Sequence, residues 1–323
     1  MNTTKTIPNL LLTVLLLLLA ACSPEGDKGG KSRARIAVIP KGTTHIFWKS
    51  VDQGAQKAGR EAKVDIIWKG PLKESDRAQQ IQLLQQFVSQ GVDAIVLAPL
   101  DFKALVPAVQ NAATKKIPVV IIDSALDAEV GKDYQSFVST DNKVAGTYGG
   151  KKLAELLGGK GKVVLLRYAA GSASTEAREA GFSSAVGEHP GIQITVDNQF
   201  AGATAGEAKT AALNLMDKIR EADGIFCPNE STTMGMLLAL RQEGLAGKVK
   251  FVGFDASPPL VAALESGEID ALVVQDPFTM GYKGVLTAAA LLQGRTVAPM
   301  VDTGAVVVTR DNMDQPEIKK LLP

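Results

Sequence analysis

The sequence predicts an α/β fold of two similar doubly wound parallel-sheet domains. Three observations support this prediction: short apolar runs alternate with helical patterns, one such unit occurs twice, and polar residues follow several of the apolar runs. Regular alternation of strands and helices implies parallel sheets that are covered by helices. With 323 residues the chain is long enough for one large or two ordinary domains.

The elements follow one another from residue 36 onward. Apolar residues at helical spacing, such as Ile81, Leu84 and Val88, separate runs that have the length of strands. We predict strands at Ile36–Ile39, Val64–Trp68, Ala94–Ala98, Val119–Ile122, Val163–Leu166, Ile192–Val196, Gly224–Cys227, Lys250–Phe254 and Ala271–Val274.

The first strand leads into a loop with unusual side chains. The apolar run Ile36–Ile39 is followed by polar residues that include His45, and then Phe47 and Trp48 begin a helical pattern. In open α/β sheets, ligands bind beyond the carboxyl ends of the strands. The loop is therefore a candidate ligand wall, although both aromatic residues are equally compatible with the core of the first helix.

An internal repeat favours two related half-molecules. The segment from Asp93 to Asp123 reads aspartate, apolar strand, proline, helix, apolar strand and aspartate, and the segment from Asp223 to Asp255 reads the same. Each half therefore presents an aspartate at the carboxyl end of a strand, and two facing domains would bring Asp123 and Asp255 to the rims of one cleft. A barrel of eight units with a duplicated half-barrel remains the alternative.

Composition and motifs argue against several classes of protein. The formal charge is +1 without basic blocks, which gives no electrostatic case for nucleic-acid binding. His189 precedes a Pro-Gly turn, so His45 is left as the one plausible imidazole for a metal or serine-hydrolase site, and both kinds of site are poorly supported. No cofactor motif is found. Cys227 lies in an apolar run, which predicts a buried thiol without a disulfide partner.

The N-terminus has the pattern of an export signal. The apolar run Leu10–Ala20 is too short to span a membrane, which needs roughly 20 residues, but it suits a signal peptide. It ends in Leu19-Ala20-Ala21-Cys22, which resembles the lipobox of bacterial lipoproteins and implies a leader at residues 1–21 and an acylated Cys22. An ordinary cleavage site with a chance cysteine is the alternative. Residues 22–34 are polar and glycine-rich, as in a flexible tether.

Several further segments, in this order and spacing, match one known family. They are Phe47–Trp48, Ile117–Asp123, Ser139–Asn142, Gly171–Phe182, Cys227–Asn229, Val252–Asp255 and Gln275. Through them the chain from about residue 34 resembles the ribose/galactose-type solute-binding proteins of bacterial ABC importers. The resemblance implies the type I periplasmic-binding-protein fold, with a three-strand hinge between an N-terminal lobe (34–140 plus 276–303) and a C-terminal lobe (141–275 plus 304–323).

The resemblance also implies a sugar site in the cleft between the lobes. Aromatic faces would cover the apolar face of the sugar ring, carboxylates would accept hydrogen bonds from hydroxyls, and amides and a guanidinium would bond hydroxyl or ring oxygens. Helix capping is the alternative role for two of the residues, Asn229 and Asp255. The implied site residues are Lys41, His45, Phe47, Trp48, Asp123, Glu176, Arg178, Asn229, Asp255 and Gln275.

The chain departs from the ribose-binding pattern at three positions. Glu176 and Ser124 stand where that pattern has arginines, and Lys41 stands where it has a small polar residue. Two cations are lost and one is gained, which argues against ribose itself. Lys41 and His45 are accordingly the expected determinants of sugar choice.

These observations lead to a functional hypothesis. We expect a monomeric, lipid-anchored binding protein in the periplasm or at the cell surface, which captures a monosaccharide or related polyol and delivers it to an ABC permease without covalent chemistry. On this hypothesis Trp48→Ala weakens binding and leaves the melting temperature of the ligand-free protein nearly unchanged. The alternatives are a receptor subunit for a sensor kinase or chemoreceptor, an exported glycan-processing enzyme that uses Asp123 and Asp255, and, with least support, a transcriptional regulator.

Overall fold

Strands and helices alternate through the part of the chain that the structure describes. The structure is a computed structural model, and it describes residues 1–3 and 33–323. Cys22, the apolar run of the predicted leader and most of the predicted tether lie outside the described residues. The strands are β1 (Arg35–Ile39), β2 (Asp65–Trp68), β3 (Ala94–Leu97), β4 (Val119–Ile122), β5 (Ser136–Ser139), β6 (Lys160–Arg167), β7 (Gly191–Phe200), β8 (Gly224–Phe226), β9 (Lys250–Phe254), β10 (Ala271–Gln275), β11 (Met300–Asp302) and β12 (Ala305–Val308).

Helices follow most of the strands. None of the helices within residues 1–3 and 33–323 is both long enough and apolar enough to cross a membrane. The helices are α1 (Ile46–Ala62), α2 (Arg77–Ser89), α3 (Val106–Thr114), α4 (Asn142–Leu156), α5 (Ala173–Gly187), α6 (Ala205–Asn214), α7 (Met216–Arg220), α8 (Glu230–Gln242), α9 (Pro258–Glu265), α10 (Pro277–Leu292) and α11 (Pro316–Lys319).

The strands form two six-stranded sheets of the same design. The first sheet has the order β11-β5-β4-β3-β1-β2 and the second has the order β12-β10-β9-β8-β6-β7. Neighbouring strands are parallel except for β12, which pairs antiparallel with β10. The corresponding orders confirm the predicted fold class, and the barrel alternative is wrong.

The chain passes between the two sheets three times. It leaves the first sheet after β5, returns after β10, and passes again from β11 to β12. We call the first sheet with its helices α1, α2, α3 and α10 the first lobe, and the second sheet with the helices α4 to α9 the second lobe. The three connections form the hinge that the family resemblance implied.

Both faces of each sheet are buried. In β1, Ile36 and Val38 pack with α1 and α10, whereas Ala37 and Ile39 pack with α2 and α3 on the opposite face. The second sheet is covered in the same way, by α4 and α5 on one face and by α6, α8 and α9 on the other. Strands that are buried on both faces read as continuous apolar runs, which is why the central strands were recognisable in the sequence.

The internal repeat is visible in the backbone. Arg35 N donates to Asp93 Oδ2 and Lys162 N donates to Asp223 Oδ2, each at 2.7 Å, so the first aspartate of each repeat binds the start of a neighbouring strand. The second aspartates follow β4 and β9, which occupy equivalent places in the two sheets. Asp123 and Asp255 both have left-handed backbones, with φ of 62° and 68°, a conformation that aspartate tolerates better than most residues.

All nine predicted strands overlap strands of the structure, but three strands were missed. The missed strands are β5, β11 and β12, which are three or four residues long. The first two carry polar residues at the hinge, and the third follows β11 after only two residues. The polar residues of β5 and β11 leave no continuous apolar run, whereas β12 reads Ala-Val-Val-Val and is a recognisable strand pattern that was overlooked.

Candidate functional site

A cavity lies between the two lobes, at the carboxyl ends of the central strands. About 330 Å³ of empty space, part of it open to solvent, lies among side chains from both lobes. Nine of the ten implied site residues line it. The lining residues are Lys41, His45, Phe47, Trp48, Glu74, Asp123, Tyr168, Ser174, Thr175, Arg178, Asn229, Glu230, Asp255 and Gln275.

The loop after β1 brings Lys41 to the floor of the cavity. Gln80 fixes this loop, because its buried amide donates to Pro40 O at 2.9 Å and to Ala98 O at 2.8 Å. Lys41 is 3% exposed and its Nζ lies 2.9 Å from Asp123 Oδ2. The same ammonium donates to Ser174 Oγ at 2.9 Å, so it bonds to both lobes at once.

Glu74 is the centre of a second polar group. Its Oε1 lies 2.5 Å from His45 Nδ1 and accepts the indole Nε1–H of Trp48 at 2.7 Å, while its Oε2 accepts the Tyr168 hydroxyl at 2.9 Å. Tyr168 belongs to the second lobe, so this carboxylate also joins the lobes.

The electrostatics of this group favour an ion pair. Burial by itself lowers the pKa of His45, but the carboxylates around it, above all Glu74, outweigh burial and raise this pKa to about 9. Burial by itself raises the pKa of Glu74, but the charge and hydrogen bond of His45, helped by Lys41, lower it to about 2. His45 and Glu74 are therefore both charged at neutral pH.

The two aromatic residues of α1 serve the core and the cavity together. Phe47 and Trp48 pack edge to face, with ring centroids 4.9 Å apart and planes at 87°. Trp48 is only 3% exposed and belongs to the apolar core between α1 and the first sheet, yet both rings line the cavity. The two interpretations of the sequence are thus compatible, and the expected stability of Trp48→Ala has to be revised.

Asp255 and Gln275 face the cavity from the second lobe. Gln275 Nε2 donates to Asp255 Oδ1 at 2.7 Å, and Glu230 N donates to Asp255 Oδ2 at 2.9 Å. Burial raises the pKa of Asp255 to about 6, against the opposing effects of Arg178 and Gln275. The amide Oε1 of Gln275 is buried and has no hydrogen-bond partner among the described residues.

Arg178 is a buried cation with one free edge. Its Nε donates to Asn142 Oδ1 at 2.8 Å, its Nη1 donates to Pro228 O at 3.0 Å, and its guanidinium lies 4.0 Å from the centre of the Phe254 ring. Its Nη2 has no partner within residues 1–3 and 33–323. Arg178 is 2% exposed, and this burial lowers the pKa of its guanidinium. Gly146 allows α4 to approach, since a Cβ there would overlap the Arg178 backbone.

Glu230 caps a helix of the opposite lobe. It lies at the start of α8, and its two carboxylate oxygens accept Ile46 N at 3.3 Å and Phe47 N at 3.1 Å. These are the first amides of α1, whose N-cap residue His45 makes no side-chain capping bond. Free amides at a helix start favour an anionic acceptor, and here the other lobe supplies it.

Two of the expected site residues have other roles. Asn229 lines the cavity, but it is also the N-cap of α8, because its Oδ1 accepts Thr232 N at 3.2 Å and Thr232 Oγ1 at 2.7 Å. Glu176 does not line the cavity. It lies in the first turn of α5, and its carboxylate accepts Gly171 N at 2.7 Å, so it closes the preceding loop.

Five lining residues were not among the implied site residues. They are Glu74, Tyr168, Ser174, Thr175 and Glu230. Glu74 lies in an irregular loop after β2, and Tyr168 follows the last residue of β6. One signal was available, since Tyr168 directly follows a strand end and such positions line the crevice of a parallel sheet.

The amino-acid sequence is similar to those of proteins of one known family. The model of the periplasmic binding protein domain family matches residues 36–296. The D-ribose/D-allose-binding protein of Pseudomonas aeruginosa is 30% identical over 269 residues, which cover 82% of this chain and 84% of that protein. The D-allose-binding periplasmic protein of Escherichia coli is 30% identical over 258 residues, with 78% and 82% covered.

Solved structures agree with the sequence comparison. A carbohydrate transporter solute-binding protein from Agrobacterium radiobacter, in complex with D-arabinose, has a TM-score of 0.87 at 35% identity, and the match covers 91% of this chain and 100% of that chain. An ABC transporter solute-binding protein from Agrobacterium vitis with bound D-fucose has a TM-score of 0.86 at 38% identity, with 90% and 100% covered. The chain belongs to the periplasmic binding protein family, whose members described above include sugar-binding proteins and an ABC transporter solute-binding protein.

Proposed function

We propose that this protein captures a monosaccharide or related polyol between its two lobes and delivers it to an ABC permease. The observation that carries the proposal is a pair of buried polar atoms, Arg178 Nη2 and Gln275 Oε1, which lie on residues that line the cavity and have no partner in the part of the chain that the structure describes. One is a donor and the other an acceptor. A hydroxyl-rich ligand offers both complements.

Buried polar atoms such as these two cost free energy when they stay unpaired. A buried polar group without a partner costs about 1–3 kcal/mol, and more if it is charged. Native structures satisfy nearly all of these groups, and functional sites are among the exceptions. A sugar that accepts from Arg178 and donates to Gln275 would remove both penalties, while Phe47 and Trp48 offer ring faces to its apolar side.

Related proteins support the choice of ligand class. The relatives described above are a D-ribose/D-allose-binding protein and proteins solved with D-arabinose and D-fucose. We propose a neutral pentose, hexose or polyol for this chain, bound by the implied site residues that line the cavity. Lys41 and Ser124 are two of the residues that differ from the ribose-binding pattern. Lys41 forms an ion pair with Asp123, and Ser124 Oγ accepts Ser174 N at 3.1 Å, so both side chains bond to the protein itself. This favours a ligand other than ribose.

The proposal includes the lobe boundaries and the anchor. We propose lobes at residues 34–140 plus 276–303 and 141–275 plus 304–323, which is supported by the distribution of the strands between the two sheets. The lipobox pattern that ends at Cys22 supports acylation and anchoring outside the cytoplasm.

Calorimetric titration tests the proposal. The mature protein is titrated with D-ribose, D-allose, D-arabinose, D-fucose, xylitol and myo-inositol, and we expect one of these or a close epimer to bind with a Kd of about 1 μM or lower, about −8.2 kcal/mol. Matched titration of Gln275→Ala should show weaker binding of the same ligand. Absence of binding to every monosaccharide and polyol would overturn the sugar assignment.

A further inference from the structure

Glu74 is the lining residue whose carboxylate is most heavily engaged by the protein itself. It is 6% exposed, and both of its oxygens accept hydrogen bonds, from His45 and Trp48 on one side and from Tyr168 on the other. Because three of its roughly four acceptor sites are used in this way, the carboxylate has little capacity left for a ligand hydroxyl. Its contribution to binding must therefore act through the residues that it holds.

We propose that Glu74 is a positioning residue of the ligand site, which holds His45 doubly protonated so that the imidazole Nε2–H donates to an oxygen of the bound ligand. The inference rests on the proposed function, because it concerns how the same cavity recognises a sugar. It assigns to His45 a ligand group that accepts a hydrogen bond: a ring oxygen or the oxygen of a hydroxyl.

The geometry leaves one nitrogen of His45 for this purpose. Nδ1 lies 2.5 Å from Glu74 Oε1, while Nε2 makes no hydrogen bond to any residue that the structure describes. The side chain of His45 is 14% exposed and lines the cavity. A neutral imidazole offers one donor and one acceptor, whereas the doubly protonated ring offers two donors. Since Nδ1 donates to Glu74, the protonation of Nε2 decides whether His45 offers the ligand a hydrogen-bond donor or an acceptor.

The charges around His45 favour the doubly protonated ring. Glu74 faces it from the loop before α2, Glu230 from the start of α8, and Asp255 from the loop after β9. The nearby cation Lys41 is paired with Asp123 and lies close enough to Glu74 to lower the pKa of that carboxyl. Three carboxylates thus act on His45, and together they outweigh its burial and raise its pKa to about 9.

The test combines a histidine titration with a binding titration. The chain has two histidines, so the imidazole signals in an NMR titration of the ligand-free protein are assigned with the single variant His189→Gln. We expect His45 to titrate near pH 9 in the wild type and at least one unit lower in Glu74→Gln. The affinity for the best sugar should be flat between about pH 6.5 and about pH 8 in the wild type, and should fall with rising pH in Glu74→Gln.

The controls separate positioning from a merely structural role. The exposed Glu155→Gln removes one carboxylate charge elsewhere and should leave both titrations unchanged. A Glu74→Gln protein that binds more weakly by the same factor at every pH, with His45 titrating as in the wild type, would overturn the proposal. If Glu74→Gln does not fold, the wild type decides, since a His45 that titrates near 6.5 would also overturn it. The histidine titration needs no ligand, so its result stands even if no sugar binds.

Discussion

At the scale of single residues, we expect Asp255 to make ligand binding depend on pH. Its carboxyl is buried, accepts hydrogen bonds from Gln275 and from the backbone of Glu230, and has a pKa raised to about 6. The raised pKa means that the buried group becomes protonated at a higher pH than a free aspartate. Asp255 is therefore ionised, and able to accept a hydrogen bond from a ligand hydroxyl with its full charge, only above about pH 6.

We predict that sugar affinity falls as the pH is lowered through about 6, and that it falls by up to tenfold per pH unit below that value. Asp255→Asn should bind more weakly at neutral pH but should lack this dependence between about pH 5 and about pH 7. Calorimetric titrations at three pH values measure both effects. An unchanged pH dependence in Asp255→Asn would show that another group is responsible.

Truncation of Trp48 should affect both stability and ligand binding, because the side chain belongs to the core and also lines the cavity. Because it is 3% exposed and part of the core, Trp48→Ala should lower the free energy of unfolding of the ligand-free protein by about 3–5 kcal/mol and also weaken binding at least about tenfold. The matched control is Phe182→Ala, which removes a fully buried ring outside the cavity. Phe182→Ala should destabilise without loss of affinity. An unchanged melting temperature for Trp48→Ala would show that Trp48 contacts the ligand without contributing to the stability of the core.

The sequence identified residues that end strands more easily than residues in loops. Asp123, Asp255 and Gln275 directly follow or end apolar runs, so strand position alone points to the cleft. Glu74 and Glu230 were not predicted as site residues, because their partners lie in the opposite lobe or in a distant loop. Glu176 lies in a segment that matches the family and yet bonds to Gly171, since a side chain's direction does not follow from its position in a motif.

At the scale of elements, the start of α1 depends on closure of the cleft. Its first amides find their acceptor in Glu230 of α8, which belongs to the other lobe. A missing cap typically costs about 0.5–2 kcal/mol. In this protein the cost arises whenever the lobes separate, so the capping bond stabilises the closed form specifically.

We predict that Glu230→Ala shifts the ligand-free protein toward an open form and raises the Kd for sugar by about 2- to 30-fold, which corresponds to about 0.5–2 kcal/mol. Small-angle X-ray scattering should show a larger radius of gyration than in the wild type. Asp76→Ala is the control, because Asp76 caps α2 within one lobe and accepts Gln79 N at 2.9 Å. It should lower the melting temperature and leave the radius unchanged. Equal radii and affinities for Glu230→Ala and the wild type would contradict the account.

At the scale of the whole molecule, the duplicated design explains why a cleft exists at all. Two sheets with corresponding strand orders present their carboxyl ends to each other, and each contributes an aspartate with a left-handed backbone. The repeat was visible in the sequence because the central strands are buried on both faces. The hinge was not recognised from the periodicity, because β5 and β11 carry polar residues and the apolar run of β12 was overlooked, and it entered only through the family resemblance.

We expect ligand binding and lobe closure to be coupled in this design. Lys41, Glu74 and Glu230 each bond to the opposite lobe, and a ligand that reaches both Arg178 and Gln275 adds further contacts to the second lobe. A ligand can shift an equilibrium between open and closed forms only by its difference in affinity for the two. A ligand that contacts both lobes would supply that difference, since it can reach His45 and Phe47 of the first lobe together with residues of the second lobe only when the lobes meet.

A crystal structure of the complex with the tightest-binding sugar would show whether the cavity between the lobes is the ligand site. We expect a sugar in the cavity, with an oxygen within hydrogen-bond distance of Arg178 Nη2 and a hydroxyl donating to Gln275 Oε1, two buried atoms that have no partner among the described residues. A ligand bound elsewhere, or a sugar in the cavity that leaves both atoms unpartnered, would contradict the account.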